Sequence, residues 1–158
     1  LVVARRSYGG LASPTRGIFM GGAPSVKEEI DYVTIATAAN AIDFGNLTDG
    51  RDILFGSSSS TRGVMAGGRD PSNTNIIDYI TIATTGNAVD FGDNTDARRG
   101  LAGCSSPTRG VFSGSISPSY TNVMDYVEIA TTGNAVDFGD STDTRAYGGN
   151  CSNGHGGL

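Results

Sequence analysis

The segment IATTGNAVDFGD, residues 82–93, recurs letter for letter at residues 129–140 and recurs as IATAANAIDFGN at residues 35–46. The pair Asp-Tyr keeps the same spacing: it stands at residues 31–32, 78–79 and 125–126, so each step is 47 residues. Self-similarity at a fixed period of this size is typical of repeat architectures. The chain of 158 residues, divided by 47, holds about 3.4 copies of one unit.

Each unit predicts four short strands separated by turns. In the second unit the strands are predicted at residues 61–67, 76–84, 87–91 and 97–104, and the connecting segments are rich in Gly, Pro, Asn, Asp and Ser. These residues satisfy turn geometry, and no connecting segment is long enough for a helix. Each unit is therefore predicted to be a four-stranded antiparallel meander, and the chain to be all-β. Apolar residues lie on both faces of the segment 76–84, which predicts a sheet covered by neighbours on both sides.

The composition disfavours several classes of protein. The 24 glycines are about twice the usual share and disfavour a helical bundle. A net charge of −5 disfavours nucleic-acid binding, and one histidine, His155, nearly excludes a metal site or triad built on histidine. No apolar run reaches the ~20 residues of a membrane span. Since Leu1 opens neither a signal peptide nor a chain with an initiator Met, we expect a processed or truncated chain.

Both ends of the chain fall inside a unit. Residues 3–15, VARRSYGGLASPT, align with residues 96–108, DARRGLAGCSSPT, which predicts residues 1–12 as the outer strand of a preceding unit. One repeat array then spans residues 1–158, with units at 13–58, 59–105 and 106–152 and the start of the next at 153–158. Four strands in a period near 45 residues are what a propeller blade requires, and propellers use four to eight blades. The chain is therefore either a segment of a longer array or a protomer that completes a ring with another copy, and a β-trefoil is the alternative fold.

The repeat resembles the kelch β-propeller unit. Its diglycine is matched at residues 21–22 and 67–68, and in degenerate form at 113–114. The kelch tyrosine is matched by Tyr32, Tyr79 and Tyr126, and the kelch arginine by Arg51, Arg98 and Arg145. The repeat departs from the kelch pattern where Trp is usual, since it carries Phe44, Phe91 and Phe138 there. The string NxxDYxTIATTGNAxDFGD, followed by TRGVFxGG, is similar to kelch-like repeats of tailed-phage structural proteins, particularly those of marine and cyanobacterial phages.

The resemblance implies about three kelch-like propeller blades with extra end strands, in a non-enzymatic structural protein of an extracellular virion. A tail fibre, another appendage or a host-attachment component is expected, with other virion proteins or further copies of the chain as partners and a host-surface glycan or protein as a further one. It supplies no catalytic residue, and we expect no cofactor, no nucleic acid and no membrane insertion. The alternatives are a carbohydrate-binding or protein-interaction module, and a kelch-type enzyme such as a copper oxidase, against which the single histidine argues.

Charged residues recur with the unit and are interpreted as architecture. We expect the arginines to bridge or cap the recurring aspartates between units, because a site for one ligand would break the repeat. The arginines are Arg16, Arg62 and Arg109 together with Arg51, Arg98 and Arg145, and the aspartates are Asp31, Asp78 and Asp125 together with Asp43, Asp90 and Asp137.

Three further features are interpreted without a ligand. The acidic turns at residues 46–49, 93–96 and 140–143 lack the ligand spacing of a calcium loop, and we interpret them as self-capped Asx turns rather than a metal site. Cys104 and Cys151 stand one period apart, in strands expected to be too far apart for a disulfide, and are predicted to be small buried residues. His155 lies in a Gly-rich tail and suggests no function.

The loop between the first two predicted strands is the part of the unit that varies. It reads GGAPSVKEEI from residue 21, GGRDPSNTNI from residue 67 and GSISPSYTNV from residue 114, while its neighbours barely change. Loops on a rigid scaffold commonly carry recognition, although drift in a tolerant loop explains the same variation. The hypothesis is a binding surface formed by Lys27, Glu28, Glu29, Arg69, Asp70, Ser119 and Tyr120.

Overall fold

A computed structural model describes residues 1–116, 118–149 and the backbone of residues 151–152. Sheet 1 contains β1 (Gly9–Ala12), β2 (Arg16–Met20), β3 (Glu29–Thr34) and β4 (Ile42–Asn46). Sheet 2 contains β5 (Phe55–Ser58), β6 (Arg62–Ala66), β7 (Ile76–Thr81) and β8 (Val89–Asp93). Sheet 3 contains β9 (Ala102–Ser105), β10 (Arg109–Ile116), β11 (Tyr120–Glu128), β12 (Val136–Asp140) and β13 (Cys151–Ser152).

Each sheet pairs its first four strands antiparallel in chain order, and β13 adds to β9 as a parallel neighbour. The predicted all-β class with four-stranded antiparallel sheets is confirmed. A β-trefoil would require the strands of all three units to share one barrel. Each antiparallel sheet instead comes from consecutive strands of one segment, so the β-trefoil alternative is wrong. Within the described residues the three sheets do not close into a ring.

The grouping of strands into units differs from the prediction by one strand. The segment predicted at residues 97–104 was placed last in its unit, but β9 pairs with β10 and opens sheet 3. In the same way β1 pairs with β2 and opens sheet 1, although residues 1–12 were assigned to a preceding unit. Short connections join neighbouring strands. Only residues 106–108 separate β9 from β10, whereas residues 94–101 separate β8 from β9.

The turn that joins β9 to β10 is held by the first hydroxyl after β9. Ser106 Oγ accepts hydrogen bonds from the backbone N–H groups of Thr108 and Arg109, at 3.3 and 3.0 Å. Ser13 and Ser59 hold the equivalent turns before β2 and β6. The recurring Ser-x-Thr-Arg pattern therefore marks a tight hairpin, and the sheets span residues 9–46, 55–93 and 102–140. The predicted start of a further unit at residues 153–158, with His155, lies outside the described residues.

Adjacent sheets pack face to face over two apolar cores. The core between sheets 1 and 2 includes Ile18, Phe44, Met65 and Ile82, all buried. The core between sheets 2 and 3 includes Val64, Phe91, Phe112 and Ile129, also buried. Sheet 2 is thus covered on both faces, which is why both faces of its strand β7 are apolar.

The first strands of successive sheets lie side by side. Ser58 Oγ donates to Ala12 O at 2.7 Å, and Ser105 Oγ donates to Ser58 O at 3.0 Å. Next in this series, β13 pairs with β9 so that Cys151 faces Cys104 in the ladder. The prediction that these cysteines lie in distant strands is therefore wrong. The prediction that Cys104 is buried is wrong as well: its free thiol is exposed, because β9 lines an open groove of about 400 Å³ along the first strands.

We predict that Gly92→Ala destabilises the protein more than Gly139→Ala. Both glycines have a positive φ, +143° and +117°, so both substitutions strain the backbone. A Cβ at Gly92 would also lie 2.5 Å from Gly133 O in sheet 3, whereas a Cβ at Gly139 meets nothing within 4 Å. The expected difference in the free energy of unfolding is about 1–3 kcal/mol, measured by urea unfolding. An equal loss in the two variants would contradict this close approach between sheets.

Candidate functional site

The variable loops lie together at one end of the stacked sheets. We name residues 21–28, 67–75 and 118–120 the loop surface; each segment joins the second and third strands of its sheet, and Tyr120 is the first residue of β11. Asn73 Nδ2 donates to Ile116 O at 2.7 Å, which joins the second loop to the end of β10. Arg99 Nη1 donates to Asn73 Oδ1, also at 2.7 Å. The second loop therefore lies beside the third, although they are about one repeat apart in sequence. The first loop reaches the second through residues 51–52, because Arg51 N donates to Lys27 O and Asp52 N donates to Arg69 O.

The connectors between sheets hold the base of the loop surface. We name residues 47–54 and 94–101 the connectors. Arg51 N donates to Lys27 O at 3.1 Å, and Leu47 N donates to Glu28 O at 2.7 Å. Asp52 exchanges two backbone hydrogen bonds with Arg69, at 2.9 and 3.1 Å. The backbone of the loops is thus tied to the scaffold while their tips face solvent.

One of the proposed binding residues, Arg69, already has an internal partner for its side chain, whereas Glu29 Oε2 is buried without a hydrogen-bond partner among the described residues. Arg69 makes a bidentate contact with Asp52, with Nε to Oδ1 at 3.1 Å and Nη2 to Oδ2 at 2.8 Å. The Asp52 carboxylate raises the pKa of Arg69 through this hydrogen bond and through its charge. Glu29 is the first residue of β3, and its carbonyl accepts a hydrogen bond from Arg5 at 2.8 Å.

The remaining proposed residues differ in accessibility. Lys27 is half-buried. The side chains of Glu28, Asp70, Ser119 and Tyr120 are exposed, and Tyr120 keeps 57% of its surface accessible. The part of the loop surface that can meet a partner therefore combines two carboxylates with a hydroxyl and an aromatic ring.

A buried ion pair ties each connector to the sheet that follows it. Arg51 Nη2 lies 2.9 Å from Asp78 Oδ2, and both side chains are at most 1% exposed. Thr48 donates to the same carboxylate through its hydroxyl at 2.6 Å and its backbone N–H at 3.3 Å. Arg51 also donates to Gly67 O at 2.9 Å. These bonds satisfy both charges, as burial requires.

The same arrangement recurs at the other junctions. Arg98 pairs with Asp125, which also accepts from Thr95, and Arg5 lies 2.8 Å from Asp31. Burial lowers the pKa of Arg98 below its ordinary value, and the Asp125 carboxylate offsets part of this effect. The sequence prediction did not name Arg5, although the alignment of residues 3–15 with 96–108 places it at the position of Arg98.

The second set of recurring arginines binds backbone carbonyls rather than aspartates. Arg16 lies 4.5 Å over the ring of Tyr32 and donates to Ile82 O of sheet 2 at 2.7 Å. Arg62 lies 4.4 Å over Tyr79 and donates to Ile129 O of sheet 3 at 3.0 Å. These arginines connect one sheet to the next, so their recurrence is architectural.

Among the described residues, the last copy of this arginine, Arg109, makes no bond to a following sheet. Arg109 lies 4.8 Å over Tyr126 and, half exposed, pairs with Glu128 of its own sheet at 2.6 Å. Glu128 raises the pKa of Arg109.

The tyrosines and phenylalanines of the repeat form edge-to-face pairs within each sheet. Their ring centroids are 5.9–6.0 Å apart in the pairs Tyr32–Phe44, Tyr79–Phe91 and Tyr126–Phe138. By contrast, Asp43, Asp90 and Asp137 are exposed and make no ion pair in the described part of the chain. The expectation that these three aspartates bridge units is wrong, because their side chains are exposed to solvent and none pairs with an arginine among the described residues.

The acidic turns have two different roles. In the first two copies Thr48 and Thr95 bind the buried aspartate of the next sheet, so these turns are connectors rather than self-capped Asx turns. The third copy caps itself: Thr144 N donates to Asp143 Oδ1 at 2.8 Å. Among residues 1–116, 118–149 and 151–152, no group of three or more His, Cys, Asp or Glu side chains could hold a metal ion.

No protein-family model matches this chain, and a search of curated proteins found no match. In the part of the chain that the structure describes, no helix is long and apolar enough to cross a membrane.

We predict that Asp78→Ala lowers the free energy of unfolding by about 3–5 kcal/mol, because the buried Arg51 charge loses its partner. Asp90→Ala is the matched control: it removes an exposed carboxylate from the same sheet and should change stability by less than about 0.5 kcal/mol. Urea unfolding followed by circular dichroism measures both. Similar stabilities for the two variants would contradict the importance of the ion pair.

Proposed function

We propose that the chain is a non-enzymatic structural protein of a phage virion, in which kelch-like propeller blades form a rigid scaffold for the loop surface. Its place would be a tail fibre, another appendage or a host-attachment component of the extracellular particle. The observation that carries the proposal is the position of the variable loops, which stand together at one end of a scaffold whose internal contacts repeat from sheet to sheet. The kelch resemblance supplies the virion context.

The scaffold supports this role because buried ion pairs and hydrogen bonds join each sheet to the next. Each connector combines an ion pair, a threonine hydroxyl bond and backbone bonds to both neighbouring sheets, as Arg51, Thr48 and Lys27 illustrate. Groups held in this way keep the loop bases at fixed positions. A partner can then bind preordered loops and avoid part of the entropy cost of ordering them.

The side chains on the loop surface suit weak polar recognition around an aromatic residue. Tyr120 is 57% exposed and stands beside Ser119, while Asp70 and Glu28 add exposed carboxylates. Tyrosine is enriched among residues that dominate binding energy, since it offers a flat apolar area with one polar end. A host-surface glycan or protein is the partner we propose, and several copies on one particle would increase the avidity.

We predict that Tyr120→Ala weakens binding of the chain to host-cell envelope material at least about tenfold, as expected for a central aromatic contact. Val89→Ala is the matched control, because Val89 is 53% exposed but lies on β8, outside the loop surface. Titration by biolayer interferometry measures both. Binding of the isolated chain to a glycan array, lost in Tyr120→Ala, would identify the partner as a carbohydrate.

The stronger test replaces all three variable loops with one common loop. If particles carrying this variant assemble and adsorb to the host as the parent does, the loop surface has no role in attachment. The proposal expects normal assembly together with impaired adsorption.

A further inference from the structure

The outward face of sheet 1 exposes residues that are buried in the other two sheets. Ile35 is 56% exposed, whereas Ile82 and Ile129 at the same repeat position are 2% and 1% exposed. These two are buried because each packs against the preceding sheet. The structure describes no sheet that precedes sheet 1, so its face has the shape and chemistry of an inter-sheet contact without the neighbour.

The outward face of sheet 3 is the complementary half of the same contact. Phe138 is 48% exposed, whereas Phe44 and Phe91 at the same repeat position are each 2% exposed. These two are buried because the following sheet covers them. The outward faces of sheets 1 and 3 therefore correspond to the two sides of an interface that occurs twice inside the chain.

Backbone groups at the two faces are complementary as well. Gly86 N donates to Phe44 O and Ala88 N donates to Asn46 O, both at 2.7 Å. The same pair of bonds recurs between sheets 2 and 3, from residues 133 and 135 to residues 91 and 93. On β12 the corresponding carbonyls of residues 138 and 140 receive no inter-sheet donor from the described residues, while residues 39–41 of sheet 1 carry the corresponding turn.

A glycine keeps space for this contact on sheet 3. A Cβ at Gly45 would lie 2.4 Å from Gly86 O, and a Cβ at Gly92 would lie 2.5 Å from Gly133 O. Gly139 stands at the equivalent place, and a Cβ there meets nothing within 4 Å. Sheet 3 therefore keeps the space that a neighbouring turn would need, and no atom of the described residues fills it.

The connector after sheet 3 carries the donors that a following sheet would need. Thr142 and Arg145 repeat Thr48 and Arg51, but both are exposed, and the Arg145 side chain has no ion-pair partner within the described residues. At the other end Asp31 accepts from Val2 N at 3.0 Å and from Arg5 at 2.8 Å, and Val2 supplies no hydroxyl.

Asp31 therefore has one donor fewer than Asp78 and Asp125, each of which also accepts a threonine hydroxyl. A segment that brings both a threonine and an arginine would complete its set of bonds. Residues 142 and 145 are such a pair.

We propose that sheet 3 of one copy binds sheet 1 of a second copy, head to tail, through the interface that joins the sheets within the chain. Residues 141–148 of the first copy take the place that residues 1–8 hold in the second, because both segments are copies of one connector and only one can occupy that position. For the same reason β1 of the second copy displaces β13 of the first from its place beside β9. Arg145 then pairs with Asp31 of the second copy. Such a heterologous contact forms a ring if the rotation closes and a filament if it does not.

The first experiment measures the mass of the 158-residue chain by sedimentation velocity at concentrations from about 1 to 100 µM, the range that detects dissociation constants in the micromolar range. We expect assemblies at multiples of 16.2 kDa that grow with concentration. A chain that stays monomeric throughout this range overturns the proposal.

Two surface variants test the direction of the contact. Ile35→Asp blocks one face and Phe138→Asp blocks the other, and each variant alone should be a folded monomer because both side chains are exposed. Their equimolar mixture should form a dimer and nothing larger, since one intact face remains on each variant. Val89→Asp, at a site of 53% exposure within sheet 2, is the matched control and should assemble as the parent does.

The mixture also separates this proposal from a symmetric contact between two identical faces. A dimer of Ile35→Asp or Phe138→Asp alone, or a mixture that stays monomeric, overturns it. For the exchanged connector, Arg145→Ala should weaken association at least about tenfold, while the neighbouring Thr144→Ala should leave it unchanged. Equal effects of these two variants would overturn the pairing of Arg145 with Asp31.

Discussion

The structure depends on a buried arginine–aspartate pair at each junction between sheets. A charge removed from water costs several kcal/mol unless it is paired and hydrogen-bonded. Arg51 and Asp78 meet this condition only when the connector, the end of β6 and the strand β7 are all in place. The pair therefore determines how each sheet sits on the one before it. The apolar cores and the close approach of glycine to backbone depend on that position.

Repetition of this junction makes the described part of the chain a stack in which sheet 1 packs on sheet 2 and sheet 2 packs on sheet 3, so stability is shared between units and their interfaces. It also explains why the variable loops meet. Because the first strands lie side by side in the same direction, every loop between second and third strands projects at the same end. The loop surface and the outward faces of sheets 1 and 3 are thus consequences of one junction. The loops lie where the second strand of each sheet ends, and the outward faces are those of the first and last sheets that the structure describes.

Local chemistry explains how far prediction from the sequence reached. Four strands per unit and their antiparallel order follow from turn residues that lie next to the strands they join, so the all-β class was predicted correctly. The assignment of residues 97–104 to the end of a unit was wrong, because a period is unchanged wherever a unit is said to begin. The boundary of the unit is instead indicated by Ser106, whose hydroxyl holds the tight turn that joins β9 to β10. Exposure on the loops was no easier to predict: Arg69 and Asp70 are adjacent and charged, yet the first is bound to Asp52 and the second faces solvent.

The sequence by itself determined the strand content, the 47-residue step and the set of residues that recur. It could not determine which recurring residues are buried. Asp31 and Asp43 recur equally well, but the first is 1% exposed in an ion pair and the second is solvated. Recurrence is a property of the chain, whereas burial depends on what another sheet or connector places over the side chain, and that was decided by the tertiary structure.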